Sequence, residues 1–169
     1  GERDPLTVQA MGNLAQAYSD SQLTFWLKDN SSAKVSEAVG IVAQMPDVSA
    51  VWVRQGSRYV LSSPVRWDRM PTKGERAWFK AHAQELVNTA AGPTGPDVLA
   101  TLIDDTTYSV AGDHGGIQRR TQQIPIVFAG AGLGPTDIGA GVRSVDVMPT
   151  VLKLLGISPT APLDGKAYD

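Results

Sequence analysis

The chain has 169 residues, of which 42% are hydrophobic and 19% are charged, and its formal net charge is -2. This length and composition predict one domain with a core of ordinary size. Because 15 Lys and Arg residues stand against 17 Asp and Glu residues, no basic excess is available to bind a nucleic-acid backbone. The absence of Cys excludes disulfides, thiolate zinc sites and cysteine nucleophiles, so His, Asp and Glu are the remaining metal ligands.

Neither a membrane span nor a signal peptide is predicted. No stretch reaches the roughly 18 consecutive apolar residues that a span requires, and the first residues, Gly1–Asp4, are too polar for a signal peptide. The chain begins without Met, and we expect it to be a segment of a longer protein.

The first 62 residues predict alternating helices and strands. The predicted elements are a helix over 8–18, a strand over 22–27, a helix ending at Met45–Pro46, and a hairpin of strands 48–54 and 58–62. The second helix has N-cap candidates at 29–32, and Gln55-Gly56-Ser57 supplies the hairpin turn.

The rest of the chain predicts two longer helices and three short strands. They are a helix over 75–88, strands over 98–103, 106–111 and 124–129, and a helix that starts at 147 and stops at Gly156. Ser144 or Asp146 is the predicted cap of the last helix. Continuous apolar strands mixed with helices predict an α/β fold with a mainly parallel sheet covered on both faces. Residues 48–90 are a possible cap or insertion.

The strongest chemical signal is Asp113-His114, which follows a β-rich run and is bracketed by glycines. Carboxylate and imidazole together suit a divalent ion such as Zn²⁺ or Mn²⁺. Neighbouring side chains on a strand point to opposite faces, so both reach one ion only where the strand has ended. The flanking glycines permit that turn. His82 shares a helical face with Trp78 and Leu86 and is predicted to be a core-edge residue.

Four blocks in this order resemble the alkaline phosphatase superfamily, and most closely its type I phosphodiesterase and nucleotide pyrophosphatase branch. The blocks are 112–116 (GDHGG), 124–132 (IPIVFAGAG), 145–157 (VDVMPTVLKLLGI) and Asp164-Gly165. Upstream, 95–98 (GPDV) and 104–106 (DDT) also look like bacterial members of this group.

The resemblance implies a three-layer αβα sandwich with a mainly parallel sheet, of which residues 1–169 would be the C-terminal part of one domain. It also implies a phosphodiesterase or phosphatase with two metal ions, Zn²⁺ or alternatively Mn²⁺, and a Ser or Thr nucleophile. Asp113 and His114 would bind one ion, whereas Asp146, Pro149 and Thr150 would begin a packing helix. The nucleophile would lie in a missing N-terminal part of the same polypeptide, so no catalytic residue is assigned and the isolated chain is expected to be inactive.

The departures from the family pattern keep alternatives open. No His follows residue 114, where members of the superfamily usually carry one. A non-catalytic binding or regulatory domain is therefore an alternative, and a sulfatase is another. The stretch with Gln118, Arg119, Arg120 and Gln123 is either a solvated loop, a source of ligands or an Arg clamp for phosphate. Relatives by this resemblance are often exported, which favours an extracytoplasmic location in a bacterium.

Overall fold

The computed structural model describes residues 12, 14–19, 22–108, 116–130 and 132–168. The chain divides into two compact units, residues 1–123 and 124–169, and each is described by itself.

The first unit is built on a five-stranded sheet. Its strands are β1 Leu14–Ser19, β2 Gln22–Leu27, β3 Val48–Gln55, β4 Arg58–Leu61 and β5 Val98–Leu102. They lie in the order β1-β2-β5-β3-β4, and every neighbouring pair is antiparallel. The predicted alkaline-phosphatase-like αβα sandwich with a mainly parallel sheet is therefore wrong.

The prediction failed because burial on both faces is not special to parallel sheets. Helix α1, Ser32–Val42, packs with Phe25, Val98 and Ala100 in one core cluster. Helix α2, Lys73–Asn88, packs with Trp52 and Leu99 in a second cluster. All five residues of β5 are buried because alternate side chains enter different clusters. A continuous apolar run thus indicates that both faces of the strand are covered, but it does not indicate whether the strand pairs in parallel or antiparallel.

Two further predicted elements are corrected by the structure. Leu14–Ser19, which the predicted helix over 8–18 included in part, is a strand paired with β2. Long-range pairing here overrides a local helical spacing. Residues 106–108 and 124–129, predicted within strands, are not in strands. The remainder of the predicted strand over 106–111 lies outside the described residues.

The elements that depend on local signals are confirmed. The hairpin of β3 and β4 pairs Gln55 with Arg58 across a turn in which Gly56 has a φ of 64°. Helix α2 begins two residues before its predicted start, because Thr72 and Glu75 form a capping box.

The described residues of the second unit form one short α-helix. A 3₁₀ turn over Ser144–Asp146 leads into α4, Val147–Leu154, and Gly156 follows with a φ of 68°. Pro149 lies in the first turn of this helix, as predicted. The helix α3, Arg119–Gln122, belongs to the first unit and has only four residues.

Candidate functional site

The positive-φ residues and an irregular strand pairing of the first unit lie at the C-terminal end of the central strand β5. Among the described residues, Asp47 and Asp105 are the two non-glycine residues with positive φ, at 58° and 56°. Both lie at this end of the sheet, where the Ile103 N–H donates to the Asp47 carbonyl at 3.0 Å. The pairing of β3 with β5 is also irregular between Val48 and Ala50. Strained backbone of this kind is concentrated at functional sites.

A small cavity of about 30 Å³ lies beside this strand end. That volume has room for about two water molecules. Its wall combines apolar and charged side chains, namely Arg69, Met70, Glu75, Trp78, Phe79, Leu102, Ile103, Asp104, Ile117, Gln118 and Arg119.

Glu75 reaches the cavity from the first turn of α2. Its Oε2 accepts hydrogen bonds from the backbone N–H and the hydroxyl of Thr72, at 2.9 and 2.7 Å. The Thr72 hydroxyl accepts in turn from the Glu75 N–H at 3.1 Å. The hydrogen bonds from Thr72 lower the pKa of Glu75, so this carboxyl group is held in its ionised form.

Asp104 lines the same cavity as Glu75. Burial, followed by the hydrogen bond and the negative charge of Glu75, raises the pKa of the Asp104 carboxyl. The charge of Asp105 acts in the same direction, whereas Arg120 opposes it. The pKa of Asp104 thus shifts in the opposite direction to the pKa of Glu75.

Gln118 ties the start of α3 to the end of β5. Its Nε2 donates to the carbonyls of Leu102 and Ile103, at 3.0 and 3.3 Å. Its Oε1 is buried and accepts no hydrogen bond from any described residue. A buried amide oxygen of this kind ordinarily has a partner, and it lies on a cavity wall that has room for water.

The two arginines after Gln118 are surface residues. Arg119 donates from Nε to Gln123 Oε1 at 2.7 Å. Arg120 lies 3.7 Å from Asp105, and both of these side chains are more than three-quarters exposed. Of the sequence-predicted stretch, Gln118 and Arg119 therefore reach the cavity, whereas Arg120 acts from its outer side through charge.

Asp113 and His114, the predicted metal ligands, lie outside the described residues. The residues that flank them in the sequence are anchored at the same sheet end. Tyr108 donates its hydroxyl hydrogen bond to the Pro46 carbonyl and packs against the α1-side cluster. The Gly116 carbonyl accepts from the Thr121 hydroxyl and the Gln122 amide, just before Ile117 in the α2-side cluster.

His82 is held by its own helix. Its ring lies 4.0 Å from the Trp78 ring, centroid to centroid, and the Trp78 indole N–H donates to the Ile117 carbonyl at 2.7 Å. Because His82 stacks on this tryptophan and does not line the cavity, the structure gives it a packing contact, in line with the sequence interpretation.

In the second unit, Asp146 and Thr150 bind the backbone that follows the last sequence block. Asp146 accepts hydrogen bonds from the backbone N–H groups of Arg143 and Lys166, at 2.8 and 2.9 Å. The Thr150 hydroxyl donates to the Asp146 carbonyl at 2.7 Å and accepts from the Tyr168 N–H at 3.2 Å. Asp146 therefore fastens the C-terminal segment to the 3₁₀ turn, and its side chain caps no N–H of α4.

A metal site needs several donor side chains close together. Within them, no group of three His, Asp or Glu side chains lies close enough together to hold a metal ion. Glu75, Asp104 and Gln118 offer oxygen atoms alone, which zinc favours less than nitrogen. The predicted zinc site thus depends on Asp113 and His114 and not on the cavity.

None of the helices within the described part of the chain has the length and apolar character needed to cross a membrane. No protein-family model, curated protein or solved structure matches the chain.

Proposed function

We propose that this chain supplies Asp113 and His114 as ligands of one metal ion in a phosphoester hydrolase. The observation that carries the proposal is the order of the four sequence blocks between residues 112 and 165. The proposal concerns the chemistry of this pair and does not use the parallel sheet that was predicted with it.

A contact in the second unit joins the last two of these blocks, which supports their treatment as one motif. Gly165, in the last block, lies against the Val145 carbonyl at the start of the third block. Asp146 and Thr150 of the third block bind the backbone of Lys166 and Tyr168. The contact between the two blocks therefore requires glycine at position 165.

The proposed chemistry follows from the two side chains. A bound divalent ion, Zn²⁺ or alternatively Mn²⁺, would supply positive charge for phosphoryl oxygens. The Asp113 carboxylate would offset part of the ion's charge, and the neutral imidazole of His114 would bind through one nitrogen. We assign the Ser or Thr nucleophile and the second ion to residues outside this chain, so the chain alone is proposed to bind metal without turnover.

Metal binding by the purified chain tests this proposal. Calorimetric titration with Zn²⁺ and with Mn²⁺ is expected to show one site, which Asp113→Asn and His114→Gln each weaken at least about tenfold. The matched controls are His82→Gln and Asp105→Asn, which alter the other imidazole and another aspartate and should leave the affinity unchanged. Equal affinity in all five proteins, or no binding by the parent chain, would overturn the assignment.

A non-catalytic metal-binding module is the second candidate. The observation that favours it is the position of His82, the other imidazole in the sequence, which stacks on Trp78. If adding the polypeptide encoded upstream restores hydrolysis of bis(p-nitrophenyl) phosphate, the hydrolase proposal stands. Metal binding without hydrolysis by that longer protein would favour the non-catalytic module.

A further inference from the structure

The last strand of the sheet, β4, turns backbone groups toward the outer edge of the sheet. Tyr59 lies opposite Arg54 in the ladder between β4 and β3. The Arg54 N–H donates to the Asp97 carbonyl at 3.0 Å and therefore points away from β4. In an antiparallel ladder, two residues that lie opposite each other either exchange both of their hydrogen bonds or point both away. The N–H and carbonyl of Tyr59 therefore face the outer edge.

Two side chains of α2 bind these edge groups. The Tyr59 N–H donates to Asn88 Oδ1 at 2.8 Å, and the Tyr59 carbonyl accepts from Gln84 Nε2 at 2.8 Å. Gln84 Nε2 also donates to Asn88 Oδ1 at 3.1 Å, so the two side-chain amides bind each other as well. We call this pair of side chains the edge clamp. It occupies the donor and the acceptor that a further strand would use at this position.

The sequence places the edge clamp on one side of α2. Gln84 and Asn88 are four residues apart, so they lie one above the other on the helix surface. Each of them directly follows a residue that is buried in the α2-side cluster, namely Ala83 and Val87. The clamp thus lies at the border of the buried helix face, from which its side chains reach the edge of the sheet.

Tyr59 is held in this orientation by its own side chain. The residue is 1% exposed and packs in the α2-side cluster. Its hydroxyl donates to the Pro96 carbonyl at 2.8 Å, which fixes the outer end of the ring. Because the strand is fixed at this residue, its edge groups stay directed outward, and their satisfaction depends on the clamp.

We propose that the edge clamp closes β4 against antiparallel pairing with β4 of a second copy of this chain. An uncovered strand edge is a template for pairing with another chain. Tyr59 and Leu61 are two positions apart, so both direct backbone groups to this edge, and the Leu61 side chain is 41% exposed. In a two-fold symmetric pair, Tyr59 of each copy would lie opposite Leu61 of the other, and N–H groups would meet carbonyls. The strand is complementary to itself, so a second copy is the partner that fits it.

Sedimentation velocity of the full chain over a range of concentrations tests the proposal. The double variant Gln84→Ala, Asn88→Ala is expected to form a dimer whose fraction rises with concentration, in a range where the parent protein shows no such step. Hydrogen exchange by NMR supplies a second readout. At low concentration, the Tyr59 amide of the double variant should lose protection by about threefold to tenfold, because it has lost its hydrogen-bond acceptor. Protection should return as the dimer forms.

Three further variants separate edge pairing from other effects of substitution. Asn88→Asp keeps an oxygen acceptor for the Tyr59 N–H, so it should sediment like the parent protein. Gln44→Ala removes another exposed glutamine, which donates to the Gly40 carbonyl, and should also sediment like the parent. Leu61→Lys, added to the double variant, places a charge on the edge and should restore the sedimentation of the parent.

Two outcomes would overturn the proposal. One is equal sedimentation of the double variant and the parent protein, whether or not the Tyr59 amide loses protection. The other is association of the double variant that persists after Leu61→Lys, since the interface would then lie away from β4.

Discussion

Gly165 lies so close to Val145 that a Cβ at position 165 would be 2.1 Å from the Val145 carbonyl oxygen. The atoms it would meet are backbone atoms, so no side-chain rotation can relieve the clash. The contact brings the Lys166 and Tyr168 N–H groups to Asp146 and Thr150. Glycine at this position is therefore required by close approach and not by an unusual φ.

We expect Gly165→Ala to detach the C-terminal segment from the 3₁₀ turn. Overpacking against rigid backbone costs about 1–3 kcal/mol, and this cost should appear as lower protection of the Lys166 and Tyr168 amides. Gly134→Ala is the matched control, because a Cβ there meets no atom within 4 Å. If both variants keep the parent's protection, the close approach is not a constraint in solution.

Acid should release the same segment. The backbone N–H groups of Arg143 and then Lys166 lower the pKa of Asp146, so the contribution of this carboxylate is present above the unfolded value of about 3.9. It is lost as the pH falls through the folded pKa, which lies below that value. We expect Lys166 amide protection to decline over this acidic range, and Asp146→Asn to lower it already at neutral pH. Asp164→Asn, on an exposed residue of the same segment, should leave the neutral-pH protection unchanged.

Thr101 is the centre of a buried hydroxyl cluster between β3 and β5. Its hydroxyl contacts the Ser49 hydroxyl at 2.9 Å and accepts from the Trp52 indole at 3.3 Å. Thr101→Val leaves these two groups with one partner fewer, so we expect a loss of about 1–3 kcal/mol in the free energy of unfolding. Thr101→Ser retains the hydroxyl and should lose less. Denaturant unfolding followed by tryptophan fluorescence measures both variants, and equal stability of Thr101→Val and the parent would contradict this account.

Tyr59 should resist ionisation in alkali. Burial raises its pKa to about 12, and its hydroxyl donates to the Pro96 carbonyl at 2.8 Å. The unfolded chain releases this proton at about pH 10. The stability that Tyr59 contributes is therefore fully present below that pH and declines as the pH rises to about 12. The difference between the phenol absorbance titrations of the parent and Tyr59→Phe isolates this one group. A midpoint near the ordinary value would show that the hydroxyl is exposed to solvent.

Local signals predicted the elements that depend on neighbouring residues. The hairpin turn at Gly56 and the stop of α4 at Gly156 are examples, since each requires one backbone conformation at one position. The direction of the sheet has no such signal. Leu23 pairs with Ala100 and Val51 pairs with the same residue from the other side, so strand order depends on contacts between distant segments.

Some features of the candidate site could be predicted from the sequence. Two aspartates directly after a buried apolar run mark Asp104 and Asp105 as the end of a strand, and Thr72 with Glu75 has the spacing of a capping box. Nothing local shows that Glu75 and Asp104 line one cavity, because that is set by how α2 crosses the sheet. The orphaned oxygen of Gln118 likewise becomes apparent only when α3 is placed against β5.

Because β5 is covered on both faces, insertions and deletions within this strand are poorly tolerated. Leu99 fills the α2-side cluster and Ala100 fills the α1-side cluster, so inserting or deleting one residue would exchange a large and a small side chain between two filled spaces. Changes of length are then confined to the segments beyond the two ends of the strand. The register of β5 therefore constrains the chain only as far as Leu102, which precedes Asp113 and His114 in the sequence.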